Sequence, residues 1–136
     1  MSTHLKEKVE KIGQILEQLI EKSAEGTPII VEGKKDAQAL QELGVKGPIL
    51  MVKTEGKSFL EATMEIEQLC SKEVILLLDF DRRGKQGTKH LQESLERGKV
   101  ILNLKFWLDL RGLSSREVQC IEGLPSYLST LQEKAT

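Results

Sequence analysis

The feature that most constrains the fold is a set of four short apolar runs in which polar and apolar residues do not alternate. The longest of them is Val74–Leu78. In a sheet with one face in water every second residue is polar, so an unbroken apolar run indicates a strand that is covered on both faces. Strands of this kind are typical of parallel sheets between layers of helices. The other three runs are Ile29–Val31, Ile49–Val52 and Val100–Leu104.

Segments with helical character lie before, between and after these runs. Apolar residues recur every three to four positions over Thr3–Ser23, which predicts an amphipathic helix ahead of the first strand. Gly44 favours a helix end because glycine readily adopts the left-handed conformation, and Ser58 favours a helix start because its side chain can cap. The further predicted helices are Asp36–Leu43, one that begins after Ser58, Gly87–Leu95, and one or two short helices between Ser114 and Leu131 that Pro125 interrupts.

This order predicts an α/β fold with a four-stranded, mostly parallel sheet, helices on both faces and an extra N-terminal helix. A chain of 136 residues can bury one core, so we expect a single compact domain in which residues 1–25 form the first helix and residues 26–136 form the rest. No apolar run approaches the roughly 20 residues of a membrane helix, and a soluble, cytoplasmic protein is expected. Cys70 and Cys120 form no metal-binding motif and are expected to be free, buried thiols.

Three carboxylates are expected to meet at one edge of this sheet. Glu32 directly follows the first strand, and Asp79 and Asp81 directly follow the third. With the strand order 2-1-3-4 these two strands are neighbours, and ligands of such sheets bind at their carboxyl ends. Crowded carboxylates repel one another, and a hard cation bound by oxygens relieves that repulsion. The sequence therefore predicts a site for Mg²⁺, or for Mn²⁺ in its place.

Basic residues follow the same strands and predict an anionic ligand. The net charge is −1, so binding of nucleic acid has to come from a local patch rather than from a global basic excess. Lysine and arginine around a carboxylate-bound metal suit phosphate groups, which share the metal and accept hydrogen bonds from arginine. The expected phosphate-binding residues are Lys34, Lys35, Lys57, Arg82, Arg83 and Lys85, with Lys53 and Arg111 nearby.

Two motifs resemble those of a known family. The segment Ile30–Asp36, which reads Ile-Val-Glu-Gly-Lys-Lys-Asp, and the segment Leu77–Gly84, which reads Leu-Leu-Asp-Phe-Asp-Arg-Arg-Gly, are similar to the two motifs of the Toprim domain. Topoisomerases, bacterial-type primases, overcoming-lysogenization-defect nucleases and the ribonuclease that matures 5S ribosomal RNA share this Rossmann-like domain. The chain looks most like its small, stand-alone members, which are primase-like or similar to the 5S-maturing ribonuclease.

The resemblance implies roles for individual residues. Glu32 would be the acid/base residue or a metal ligand, and Asp79 and Asp81 would hold Mg²⁺. Gly33 and Asp36 would support the site, with Asp36 orienting Lys34 or Lys35. The chain departs from the topoisomerase pattern, since Arg83 stands where those enzymes have a third acid, which argues against a second metal. Topoisomerases also need a nucleophilic tyrosine on a separate domain. Tyr127 is the only tyrosine and a single domain is expected, so a topoisomerase acting alone is not expected.

Four functional interpretations remain to be weighed. The first is a Mg²⁺-dependent hydrolase, a nuclease that cuts RNA or DNA, single-stranded or structured. The second is a non-catalytic module that uses the same site to bind nucleic acid or a larger processing machine; protein partners, including a second copy, are left open. A phosphatase of the haloacid dehalogenase type also uses Asp-x-Asp after a strand, but Arg83 is unusual there. The simplest alternative is a plain turn in which aspartate side chains bind the backbone.

Overall fold

The four apolar runs form a parallel sheet. A computed structural model describes residues 3–53 and 58–136, apart from the side chain of Phe59. The sheet within these residues has the order β2-β1-β3-β4, and each pairing is parallel. The predicted α/β class and strand order are therefore confirmed. The strands are β1 (Ile29–Val31), β2 (Ile49–Met51), β3 (Glu73–Leu77) and β4 (Ile101–Asn103).

Helices connect and flank the strands. The N-terminal helix is confirmed, and Ser58 caps its helix as expected, because its hydroxyl accepts a hydrogen bond from the Glu61 N–H at 3.2 Å. Gly44 follows its helix with φ at +110°, the left-handed conformation that glycine favours. The helices are α1 (Thr3–Ala24), α2 (Lys34–Glu42), α3 (Phe59–Gln68), α4 (Arg82–Glu96), α5 (Lys105–Ser114) and α6 (Leu124–Ala135), and a 3₁₀ turn (Ile121–Gly123) precedes α6.

Two apolar layers cover the sheet. On one face, Ile29 and Val31 pack with buried residues of α1, α2, α5 and α6. On the other face, Ile30 and Leu76 pack with buried residues of α3 and α4. Successive strand residues point to opposite faces, so one strand supplies both layers. The central strands are almost completely buried, which explains their unbroken apolar sequence.

The edge strands depart from the expectation that both faces of every run are covered. Residues of β2 are only half-buried, and Ile101 in β4 is 64% exposed. An edge strand has a neighbour on one side only, so apolar composition alone does not bury it. The free cysteines are also more accessible than expected, because Cys70 is exposed and Cys120 is half-buried.

Three helix predictions need correction. The helix predicted from Gly87 begins at Arg82, because Asp81 caps it. Pro125 does not interrupt the last helix but stands in its first turn, where the missing N–H costs no hydrogen bond. The sequence patterns did not single out α5, whose Trp107 indole N–H donates to the Leu78 carbonyl at 2.8 Å. The one local signal is Asn103, whose side-chain oxygen accepts from the Lys105 N–H at 3.0 Å.

Candidate metal centre at the carboxyl edge of the sheet

The carboxyl edge of the two central strands brings Glu32 and Asp79 towards each other. Val31 pairs with Leu77 in the neighbouring strand, so both chains leave the sheet at the same level. Glu32 is the residue after β1, and its side chain is 91% buried. Asp79 lies two residues after β3 and is half-buried. The topology thus places these two predicted site residues at one edge.

Asp79 has a raised pKa and a buried oxygen at this edge of the sheet. Burial, followed by the charges of Glu32, Asp36 and Asp81, raises its pKa to about 7, while Lys53 opposes the shift. The Oδ1 atom of Asp79 is sealed from solvent and has no hydrogen-bond partner within the described residues. A buried carboxylate oxygen without a partner costs free energy, and a bound cation removes that cost. The site therefore fits a divalent cation.

Asp36 and Cys120 complete a cluster with Asp79. One ligand atom from each of these three residues lies within 4.8 Å of the other two. Asp36 is 93% buried, and its two oxygens accept from the backbone N–H groups of Gly33 at 3.2 Å and Glu122 at 2.9 Å. These bonds hold the start of α2 against the 3₁₀ turn. Both Asp36 oxygens thus bind backbone N–H groups, and a role of Asp36 in orienting Lys34 or Lys35 stays a prediction.

Asp81 has a structural role at the start of α4. Its Oδ1 atom accepts from the Gly84 N–H at 2.8 Å, so the side chain caps α4. This contact is the turn-stabilising role that the simplest alternative expects. It does not account for Asp79, whose Oδ1 atom lacks such a partner in the part of the chain that the structure describes. Sequence spacing alone could not separate the two aspartates.

Gly84 lets the first turn of α4 approach the Asp79 backbone. A Cβ atom at this position would lie 1.9 Å from the Asp79 carbonyl oxygen, far inside any contact distance. The neighbouring atom is backbone and cannot rotate away. Glycine is therefore required for the close packing that holds Asp79 and Asp81 in place.

We expect Gly84→Ala to lower the free energy of unfolding by about 1–3 kcal/mol, the usual cost of overpacking. The measurement is urea-induced unfolding followed by circular dichroism. Gly112→Ala in α5 is the matched control, since its added Cβ meets nothing within 4 Å and favours the helix by up to about 1 kcal/mol. Equal stability of the two variants would contradict the tight packing at Asp79.

A cleft of about 280 Å³ opens beside Glu32 towards α4. The Lys53 Nζ atom lies 3.2 Å from the Glu32 Oε2 atom, and Lys53 is half-exposed. Arg83 faces the same cleft from the first turn of α4. The cleft thus joins a buried carboxylate to two cations. Its lining residues are Glu32, Lys53, Arg83, Gln86, Gly87 and His90.

The other predicted phosphate-binding residues are more scattered. Arg82 and Lys85 are exposed in the first turn of α4, not in a loop, and Lys34 is exposed at the start of α2. Lys35 lies 4.0 Å from Glu122 and lines a separate hollow beside α6. Lys57 lies outside the described residues.

Arg111 belongs to an aromatic cluster. Its guanidinium lies over the Trp107 ring at 4.6 Å from the centroid. Phe80, between the two aspartates, packs against the same ring with 6.5 Å between centroids. The ring of Trp107 is buried, so it is a core residue rather than a platform for stacking bases.

Comparison with known proteins identifies the family. The Toprim domain family matches residues 27–106, which include both motifs and all four strands. The chain belongs to the Toprim family. That family points to a metal-dependent function related to nucleic acid, and the match decides against the dehalogenase-type interpretation. No helix within residues 3–53 and 58–136 has the length and apolar character that crossing a membrane requires.

Relatives of this Toprim chain occur among archaea. UPF0292 protein MJ1624 of Methanocaldococcus jannaschii is 36% identical over 120 residues, which cover 88% of this chain and 91% of the relative. The UPF0292 protein of Methanosarcina acetivorans is 32% identical over 129 residues, with 95% and 88% covered. A solved structure of a protein from Aquifex aeolicus superposes with a TM-score of 0.66 at 23% identity, covering 80% of this chain and 94% of that one. The last comparison supports the fold alone.

Proposed function

We propose that this Toprim protein is a Mg²⁺-dependent nuclease that hydrolyses a phosphodiester of RNA or DNA. The observation that carries the proposal is a buried Asp79 oxygen without a hydrogen-bond partner among the described residues, at the same sheet edge as a cleft lined by Glu32, Lys53 and Arg83. One side suits a divalent cation and the other suits a phosphate. Both lie at the carboxyl edge of a parallel sheet, where such folds bind ligands.

The metal would be held by Asp79, with Glu32 and Asp81 as the further ligands that the motif predicts and Mn²⁺ as an alternative ion. When bound, the cation supplies positive charge to the phosphate oxygens as negative charge develops there. Lys53 and Arg83 line the cleft and hold the phosphodiester. Glu32 accepts the proton of the attacking water from its place in the wall of the cleft.

In this scheme the Lys53 ammonium group can bind either Glu32 or the phosphate of the substrate. In the free protein it pairs with Glu32 at 3.2 Å, which offsets the cost of burying that carboxylate. A phosphate that enters the cleft offers Lys53 a second anion. Movement of the ammonium from Glu32 to the phosphate frees the carboxylate to act as a base at the moment the substrate arrives.

A non-catalytic binding module is the second candidate, and two contacts favour it. Lys53 already pairs with Glu32, and Asp81 already caps α4. Carboxylates that serve as structural partners are less available as metal ligands. The same cleft would then bind phosphates through Lys53 and Arg83 without cutting them.

A cleavage assay separates the two candidates. Purified protein is incubated with labelled single-stranded and structured RNA and DNA in Mg²⁺, in Mn²⁺ and in a chelator, and binding is titrated in parallel. We expect metal-dependent cleavage of at least one substrate. Binding without cleavage under every metal condition would reject the nuclease and support the binding module.

We expect Arg83→Ala to weaken nucleic-acid binding and to reduce its salt dependence by about one counterion, because Arg83 faces the proposed phosphate cleft. Arg82→Ala tests the neighbouring arginine, which is exposed on the same helical turn. Lys46→Ala is the control, since Lys46 precedes β2 and lies at the opposite edge of the sheet. The measurement is fluorescence anisotropy over a range of salt concentrations. An unchanged slope for Arg83→Ala would remove this residue from the interface.

A further inference from the structure

Cys120 contributes a feature that the paired motifs do not contain. It lies beyond the part of the chain that the Toprim family matches, in the segment that leads into the 3₁₀ turn. Two hydrogen bonds that involve backbone groups hold this segment against the site. The Phe80 N–H donates to the Gln119 carbonyl at 2.7 Å, and the Glu122 N–H donates to Asp36 Oδ1 at 2.9 Å. The thiol is therefore fixed beside Asp79 by the fold.

The three side chains around this point form a mixed set of donors. Ligand atoms of Asp36, Asp79 and Cys120 lie within 4.8 Å of one another. Each Asp36 oxygen already accepts one backbone hydrogen bond, and a carboxylate oxygen has about two acceptor sites, so each keeps one for a metal. A second observation points to a missing ligand: the Asp79 Oδ1 atom is sealed from solvent and has no hydrogen-bond partner among residues 3–53 and 58–136.

Sulfur changes which metal such a set prefers. Mg²⁺ prefers oxygen ligands, whereas thiolate sulfur selects softer ions such as Zn²⁺. Two carboxylates and one thiolate leave a fourth position open in a tetrahedral site. Bonds of about 2.0–2.3 Å place neighbouring donors about 3.5 Å apart, so small side-chain rotations suffice to close this cluster.

We propose that Asp36, Asp79 and Cys120 bind Zn²⁺, or another thiophilic divalent cation, in competition with the Mg²⁺ that shares Asp79. This inference rests on the proposed Mg²⁺ site. Zn²⁺ bound by Asp36, Asp79 and Cys120 would regulate that site, because it removes Asp79 from the ligands of the catalytic metal. On binding, the thiol loses its proton to solvent and the sulfur forms a bond to the metal. No electron is transferred, so no oxidant or reductant is needed.

Co²⁺ is the probe, because a thiolate bound to Co²⁺ gives a charge-transfer absorption that oxygen ligands do not. We expect this absorption when Co²⁺ is added to the wild-type protein, and its loss when Zn²⁺ is added afterwards. Cys120→Ser should abolish the absorption and weaken Zn²⁺ binding by at least about tenfold, as even loss of an outer partner of a metal ligand does. Cys70→Ser is the matched control, since Cys70 is the exposed thiol at the end of α3. It should keep the absorption.

A second measurement needs no variant. Zn²⁺ should protect Cys120 of the wild-type protein from an alkylating reagent, as mass spectrometry of its peptide would show, while Cys70 reacts equally with and without the metal. Absence of the Co²⁺ absorption in wild type, its persistence in Cys120→Ser, or alkylation of Cys120 at the same rate in Zn²⁺ would each overturn the proposal. None of these readouts uses cleavage, so they are independent of whether the protein is a nuclease.

Discussion

Glu32→Gln is expected to lower the rate of metal-dependent cleavage by at least about 100-fold and to leave nucleic-acid binding intact. The substitution keeps the size of the side chain but removes the basic oxygen that general base catalysis needs, and such groups contribute about 100- to 10,000-fold. Binding should hold or strengthen, because Lys53, now 3.2 Å from Glu32, loses its carboxylate partner and becomes available to phosphate. The measurement is the single-turnover cleavage rate beside a binding titration.

The matched control is Glu17→Gln, which removes one negative charge from the exposed side of α1. It should cleave as fast as the wild-type protein. Equal residual cleavage by wild type and Glu32→Gln would show that the activity comes from a contaminating nuclease. A parallel loss of binding and cleavage in Glu32→Gln would place Glu32 in the fold or the interface rather than in the chemistry.

Asp79→Asn is expected to stabilise the metal-free protein at pH 8 and to abolish its stabilisation by Mg²⁺. The folded state raises the pKa of Asp79 from 3.8 to about 7, first through burial and then through nearby carboxylates. Between these two pH values the folded protein binds more protons than the unfolded chain. Its stability therefore falls as the pH rises from about 4 to about 7.

Asparagine removes this penalty because it has no charge to bury. The full shift corresponds to about 4 kcal/mol, and solvent screening of a half-buried group reduces the expected gain to about 1–3 kcal/mol at pH 8. Near pH 4 wild type and variant should differ little. Urea unfolding in a chelator at both pH values is the measurement, with Asp109→Asn on the exposed side of α5 as the control.

Mg²⁺ should reduce the stability advantage of the Asp79→Asn variant over wild type at pH 8. At tenfold excess over its dissociation constant, the ion adds about 1.4 kcal/mol to a protein that binds it only when folded. Wild type should gain this amount at pH 8 and Asp79→Asn should not. A variant that is less stable than wild type in the chelator would show that the Asp79 charge supports the fold, which contradicts the metal-site account.

The sheet could be predicted from the sequence because its signal is local and repeated. An apolar run such as Val74–Leu78 reports burial on both faces, and the alternation with helices then leaves few topologies. The same signal wrongly predicted that Ile101 is buried. Ile101 lies in an edge strand, and how far a strand is covered depends on its place in the sheet. The start of α4 was misplaced because turn-forming residues around Asp81 also cap helices.

The candidate site was predicted in part. Glu32 and Asp79 follow neighbouring strands, so the topology alone brings them to one edge. Lys53 could be placed near that edge but not paired with Glu32, because a side-chain contact depends on rotamers that spacing does not fix. Cys120 is 41 positions from Asp79 along the chain. The proximity of Cys120 to Asp79 arises from the packing of the C-terminal segment, and no sequence motif predicts it.

The central claim is that a divalent cation binds at Asp79, and a crystal structure of the wild-type protein soaked in Mn²⁺ tests it most directly. Mn²⁺ is suited to this test because its anomalous scattering distinguishes it from water. We expect an anomalous peak at bonding distance, about 2.1–2.3 Å, from an Asp79 oxygen, with a Glu32 or Asp81 oxygen also in its coordination shell. A peak only at other carboxylates, or no peak at this edge of the sheet at a saturating concentration, would contradict the account.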